Sequence, residues 1–190
     1  MRIELQNTFV ELRGERNPVA TAALDALRAN GATIEPIAPV PDILLVSLPL
    51  VPVAGYDPAA LLQAVRSTGD AMFGRGSGRV LFLVSAAAGM PMRRHPEFSV
   101  AMAGVLATVR AMAMQLGPKV LVNAVGVGAV GEPLVAGDAA MLGHASVKRP
   151  GAVAEVTDTV LFFCDPLNTY TTGQMLSVDG GWSAGYGRNF

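Results

Sequence analysis

The chain has little charge and almost no cysteine. Of its 190 residues, only 15% are Asp, Glu, Lys or Arg, whereas 51% are apolar. A soluble domain usually has about 25% charged residues. This chain therefore has too few to coat a monomer, and we expect another subunit to cover part of the surface. The single cysteine, Cys164, excludes an internal disulfide and fits a reducing compartment.

The chain also lacks an excess of charge of one sign. Its formal net charge of −1 provides no basic footprint for nucleic acid and no polybasic patch for a membrane surface. Uncharged stretches such as 43–56, 80–92 and 98–109 are shorter than the roughly 18 residues of a membrane-spanning helix. The first residues lack the apolar run of a secretory signal. We therefore expect a cytoplasmic protein that binds neither nucleic acid nor membrane.

The chain does contain an alternation of helical and strand patterns. After the capping pair Asn17-Pro18, helices are predicted at 19–29, 58–73, 98–116 and 153–163. Strands are predicted at 32–37, 42–46, 79–85, 120–125 and 174–178, with a glycine-rich loop over 126–143. The helix at 98–116 is apolar all round, so we expect it to be covered on both sides. The alternation favours an α/β fold, a doubly wound and mostly parallel Rossmann-like sheet.

Three motifs in the second part of the chain follow a recognisable order. They are Val84-Ser-Ala-Ala-Ala-Gly89, Val122-Asn-Ala-Val125 and Thr172-Gly-Gln-Met-Leu-Ser-Val-Asp-Gly-Gly-Trp182. With these motifs the chain resembles the short-chain dehydrogenase/reductase (SDR) family, whose fold is a Rossmann sheet. In that family a helix, a strand and a second helix fill the place that 37–42 occupies here. The resemblance implies a single truncated SDR-like domain over 1–190, shortened by loss of an edge strand and its flanking helices.

The positions that the family uses for catalysis carry other residue types. An SDR moves a hydride to or from a nicotinamide ring with a tyrosine acid/base, a lysine and a serine. The resemblance places the tyrosine at Phe98, the lysine at Met102 and the serine at Ala86, with Ser85 as an off-register substitute. Neither of the two lysines in the chain follows a tyrosine by four residues. The resemblance therefore implies that this chain has no catalytic residue.

The family's cofactor site is altered in the same way. A dinucleotide pyrophosphate needs a glycine-rich turn that lets it approach the backbone. The family's glycine positions fall on Arg13, Pro18 and Ala20, with Gly14 one residue out of register. We expect this chain to bind neither a cofactor nor a metal, and we expect NAD(P) in a partner subunit.

Three functions remain open. The first is a non-catalytic subunit, a pseudoenzyme, that assembles with an active SDR paralogue and stabilises it in a two-plus-two heterotetramer. SDRs assemble through their two long helices and last strand region, and two-component members that oxidise hydroxyacyl-CoA intermediates of aromatic degradation are similar in having one degenerate subunit. The second is an active SDR oxidoreductase with relocated catalytic residues. The third is a cofactor-free binding module for an acyl-CoA or another small molecule.

Two loop segments carry further candidates. His144-Ala-Ser146-Val-Lys148 imitates a catalytic spacing, although a solvated loop is the simpler interpretation. Arg93-Arg94-His95 could bind an acidic ligand such as a CoA phosphate, or form a charged rim.

The remaining candidates are apolar or aromatic. Met90, Met92, Met102, Met112 and Met114 are expected to fill the core or subunit contacts. Cys164 follows two phenylalanines, which predicts a buried, unreactive thiol. Tyr186 and Phe190 lie on a glycine-rich tail that we expect to dock on a neighbouring subunit.

Overall fold

The computed structural model describes residues 1–34 and 40–185, in which strands and helices alternate. The strands are β1 Phe9–Gly14, β2 Thr33–Ile34, β3 Ile43–Ser47, β4 Gly78–Ser85, β5 Val120–Val127 and β6 Met175–Val178. The helices are α1 Pro18–Ala29, α2 Ala59–Arg75, α3 Pro96–Leu116, α4 Ala139–Leu142 and α5 Val153–Cys164.

The strands form one sheet in the order β2-β1-β3-β4-β5-β6, and every neighbouring pair is parallel. All of β3 is buried, as is β4 from Val80 onward, because helices cover both faces of a parallel sheet. Helices α2 and α3 pack on one face, and α1 and α5 pack on the other. The predicted doubly wound, Rossmann-like fold is thus confirmed.

The sheet is narrow on the side of β2. This strand has two residues, which pair with Phe9 and Val10 at the start of β1. Only residues 35–42 lead from β2 to β3, whereas a parallel crossover usually takes a dozen or more residues. The link can be short because both ends lie beside the start of β1: Thr33 N donates to Thr8 O and Asp42 N donates to Phe9 O, each at 2.9 Å. The predicted strand at 32–37 is confirmed at 33–34, and its remainder lies outside the described residues.

Two elements were not predicted. Strand β1 was missed because Glu11 and Arg13 interrupt its apolar pattern; these side chains pair with each other, with Arg13 Nε 2.6 Å from Glu11 Oε1. The region predicted as a loop contains the last residues of β5 and also α4, whose start is capped by Asp138 Oδ1, which accepts from Ala140 N at 2.7 Å.

Only one face of α3 is buried in the single chain. Val105 and Val109 are fully buried, whereas Val100 is 73% exposed and Met114 is 80% exposed. Among the described residues, α3 is the one helix long and apolar enough to cross a membrane, and half of that apolar window is buried inside the protein. It therefore has the placement of a core helix with one open face.

Candidate functional site

The family's three catalytic positions lie together inside the hydrophobic core. Ala86 and Met102 are fully buried and Phe98 is 3% exposed, and all three belong to the core between the sheet and α3. Ser85 is also buried, and its Oγ accepts a hydrogen bond from Ala87 N at 3.3 Å, which caps a short 3₁₀ turn. Alanine, phenylalanine and methionine have no proton to exchange at neutral pH. The structure therefore brings these positions together as side chains that fill the core, and none of them is an acid or a base.

Strand β1 ends at Gly14, where the chain turns toward α1. The φ of Gly14 is +93°, and a Cβ built there would lie 2.1 Å from the backbone oxygen of Ser47, so only glycine fits. Arg13 lies one residue earlier, inside β1. Pro18 and Ala20, the other two positions to which the resemblance assigns family glycines, lie in the first turn of α1.

The start of α1 is satisfied by the chain itself. Pro18 has no N–H to offer. Asn17 Oδ1 accepts a hydrogen bond from Ala20 N at 2.8 Å, and Asn17 Nδ2 donates to Ser47 Oγ at 3.0 Å. Both side chains are buried. The sequence indicated Asn17 as a cap, but nothing in it signalled the pairing with Ser47, which lies at the end of another strand.

These residues do not fit a dinucleotide pyrophosphate. Such a group needs free N–H donors at the helix start, but Pro18 removes one donor and Asn17 engages another. Glu15, in the same turn, adds a carboxylate. Burial raises the pKa of the nearby Tyr56 phenol, and the negative charges of Glu15 and Asp57 raise it further.

The segment that imitates a catalytic spacing does not form a site. His144 lines a cavity, but Ser146 and Lys148 are exposed and do not line it. Lys148 Nζ donates to the backbone oxygen of Gly143 at 3.3 Å. The structure therefore separates the side chains that the sequence spacing suggested as a unit.

The cavity that His144 lines has a volume of about 450 Å³ and lies between the loop at 90–94 and α4. It is lined by Met90, Pro91, Met92, Arg93, Arg94, Asp138, Ala140, Met141, His144 and Trp182. Two predicted candidates, Arg93 and Arg94, therefore lie at one site. The third, His95, does not line the cavity, but its Nε2 lies 3.4 Å from Oδ2 of Asp138, which does.

Sequence reasoning did not associate Asp138, Met141 or Trp182 with a site, although all three line this cavity. An aspartate directly before an apolar tetrapeptide is a helix-start signal, and it could have located α4. Trp182 was identified only as part of the terminal turn.

The remaining candidates have simple placements. Cys164 is buried as predicted, and burial raises the pKa of its thiol to about 12, which keeps it protonated. Met102 and Met112 lie in the core, whereas Met114 is exposed. Residues 1–34 and 40–185 contain no group of three or more His, Cys, Asp or Glu side chains that could hold a metal ion. The predicted docking residues Tyr186 and Phe190 lie outside the described residues.

Comparisons with known proteins agree with this architecture. The family model described as enoyl-(acyl carrier protein) reductase matches residues 53–183. Trans-4-hydroxycyclohexanecarboxylate dehydrogenase of Sinomonas cyclohexanicum is 30% identical over 113 residues, which are 58% of this chain and 44% of that protein. The cis-4-hydroxycyclohexanecarboxylate dehydrogenase of the same organism is 28% identical over 187 residues, 90% of this chain and 70% of that protein.

A solved structure carries the same fold at low identity. A short-chain dehydrogenase from Leptospira borgpetersenii with bound NAD+ has a TM-score of 0.76 and 16% identity, covering 95% of this chain and 94% of that one. The family match spans more than half of the chain, although the chain aligns with less than half the length of the trans enzyme. From its fold, its motifs and this match, the chain belongs to the short-chain dehydrogenase/reductase family.

Proposed function

We propose that this chain is a non-catalytic SDR-fold subunit that assembles in the cytoplasm with an active, NAD(P)-dependent SDR paralogue and stabilises it. The open face of α3 is the observation that carries the proposal. Val100 and Met114 mark its two ends, and Ala103, Gly104 and Ala107 lie exposed between them, with Arg110 as the one exposed charge. An exposed apolar face of this length is typical of an interaction surface.

The position of this face supports a partner of the same family. Helices α2 and α3 pack side by side on one face of the sheet, and SDR subunits assemble through these two helices. A paralogue would offer a matching pair, and a two-plus-two heterotetramer satisfies closed symmetry. The apolar composition of the whole chain agrees with a surface that a subunit covers.

The catalytic and cofactor roles belong to the partner in this proposal. The buried apolar residues at the family's catalytic positions and the self-capped start of α1 support this division. The two Sinomonas relatives are named for hydroxylated alicyclic carboxylates. We propose that the assembled enzyme oxidises a hydroxy acid or its thioester, the latter as in hydroxyacyl-CoA dehydrogenases.

An active oxidoreductase with relocated residues is the second candidate. It would need an acid/base group beside a bound nicotinamide, and His144 lines the cavity beside α4. Since Ser146 and Lys148 do not line that cavity, the proposal of a non-catalytic subunit is better supported.

The test is capture of the partner with a variant that alters only the α3 face. Tagged chain is purified from its native cell, associated proteins are identified by mass spectrometry, and the complex is analysed by size exclusion with light scattering. Ala107→Glu introduces a charge into the open face, and Thr21→Glu introduces the same charge at an exposed position of α1, on the opposite side of the sheet.

We expect the wild-type chain and Thr21→Glu to co-elute with an SDR that contains Tyr-x-x-x-Lys. Ala107→Glu should lose this partner and keep its thermal stability. A wild-type chain that elutes as a monomer without an SDR partner would contradict the proposal, as would an Ala107→Glu chain that retains it.

A further inference from the structure

The cavity beside α4 has an apolar floor that exists before any ligand binds. Met92 is 9% exposed, Met141 2% and Trp182 7%, so these side chains are held by packing. Its volume of about 450 Å³ lies in the range of about 300–1,000 Å³ that small-molecule sites occupy. Methionine side chains adapt to differently shaped apolar ligands. The floor is therefore suited to a short aliphatic or alicyclic body.

The rim of the same cavity carries positive charge. Arg93 and Arg94 both line it and are exposed. Across the part of the chain that the structure describes, neither guanidinium has a hydrogen bond or an ion pair with another residue. An arginine can hold a carboxylate or a phosphate through two parallel hydrogen bonds. These two side chains are therefore placed to receive an anionic group.

The acidic group on the rim does not cancel this charge. Asp138 lines the cavity, but its Oδ1 accepts from Ala140 N at 2.7 Å and its Oδ2 lies 3.4 Å from His95 Nε2. These contacts fix the carboxylate as the cap of α4. The two arginines thus outnumber a carboxylate that already has its own partners.

We propose that this cavity binds a small apolar acid, with the aliphatic or alicyclic body on Met92, Met141 and Trp182 and the anionic group on Arg93 and Arg94. The proposal concerns binding alone, because the family's positions for the acid/base pair hold the buried Phe98 and Met102. The anion can be a carboxylate or the phosphates of a thioester carrier, since the same arginines suit both. This site does not depend on the proposed assembly.

Trp182 provides a readout specific to this site. It is the only tryptophan in the chain, and it lines the cavity. Tryptophan emission of the full chain is measured during titration with octanoate, with neutral octanamide of the same size, and with octanoyl-CoA. The variants are Arg93→Gln with Arg94→Gln in one chain, and Arg28→Gln as the control. Arg28 is an exposed arginine on α1 whose ion pair is with Asp25.

Octanoate should change the emission saturably, and octanamide should bind at least ten-fold more weakly. The double variant should lose at least ten-fold in octanoate affinity, while Arg28→Gln should match the wild type. Tighter binding of octanoyl-CoA that the double variant loses would identify phosphate as the anion, whereas a preference for octanoate would identify a carboxylate. No saturable change, equal binding of octanamide, or undiminished binding by the double variant would overturn the proposal.

Discussion

Phe98 and Met102 occupy the places of a tyrosine and a lysine, and both are part of the core. We expect Phe98→Tyr with Met102→Lys to show no dehydrogenase activity, because the rebuilt acid/base pair would still lack a binding site for the nicotinamide cofactor beside it. The buried lysine should also lower the free energy of unfolding by more than about 3 kcal/mol. Activity is assayed as NAD(P)H absorbance with hydroxy acids and their thioesters, and stability by urea denaturation.

Gln115→Lys is the matched control for the stability measurement. It introduces the same side chain at an exposed position of the same helix, so we expect a change within about 0.5 kcal/mol. Turnover by the double variant would show that the cofactor site is better preserved than the geometry of Asn17 and Pro18 indicates.

The Arg149–Glu155 pair gives a prediction about pH. Hydrogen bonds from Arg149 and from Ala152 N lower the pKa of the Glu155 carboxyl from 4.5 to about 2. A carboxyl whose pKa is lower in the folded state stabilises the fold above its unfolded pKa. That contribution is lost as the pH falls from 4.5 through about 2. NMR titration of the Glu155 carboxyl should give a midpoint near 2.

In Arg149→Gln the midpoint should move up toward the ordinary value, because the first and largest cause of the shift is removed. High salt should move it in the same direction, since both side chains are exposed. An unchanged midpoint in Arg149→Gln would show that the pair does not form in solution.

Site residues could be predicted from the sequence where a motif or a charge run marks them. Arg93 and Arg94 were identified in this way, and the structure places both on the cavity. The pairing of Asn17 with Ser47 could not be predicted, because it joins the ends of two elements that only the folded sheet brings together.

At the scale of elements, Gly69 sets the distance between α2 and α3. A Cβ at this position would lie 2.8 Å from Leu116 Cδ1 and 3.1 Å from Met112 Cε. Gly69→Leu should therefore push the two helices apart and lower the free energy of unfolding by about 1–3 kcal/mol. Chemical denaturation of the purified variant measures this change.

Gly74 is the matched control in the same helix, because a Cβ there would meet nothing within 4 Å. Gly74→Leu should stabilise the chain by up to about 1 kcal/mol through helix propensity. Equal effects of the two substitutions would contradict the close packing of α2 on α3.

Elements with a strong apolar period were predicted well, and elements of mixed polarity were not. The spans of α1, α2, α3 and α5 agree with the sequence pattern to within two residues at either end. Strand β1 was not predicted because parallel strands are expected to be continuously apolar. In this strand Glu11 and Arg13 interrupt the apolar pattern and pair with each other. Helix α4 was not predicted because a four-residue helix is too short to show the helical repeat of apolar residues.

At the scale of the whole molecule, the chain combines three features: a narrow sheet, an open face on α3 and an apolar composition. The sheet ends at β2 because only the eight residues 35–42 connect this strand to β3. The open α3 face could not be placed from the sequence, because the apolar residues of this helix surround its whole circumference. Only packing on the sheet shows that Val105 and Val109 are core and that Val100 and Met114 are surface.

Native mass spectrometry of the complex purified from the cell tests the central claim most directly, because one spectrum counts subunits and bound dinucleotides together. The account predicts two copies of this chain with two copies of an active SDR, and one dinucleotide for each active copy. A homo-oligomer of this chain that carries a dinucleotide in each subunit would contradict it.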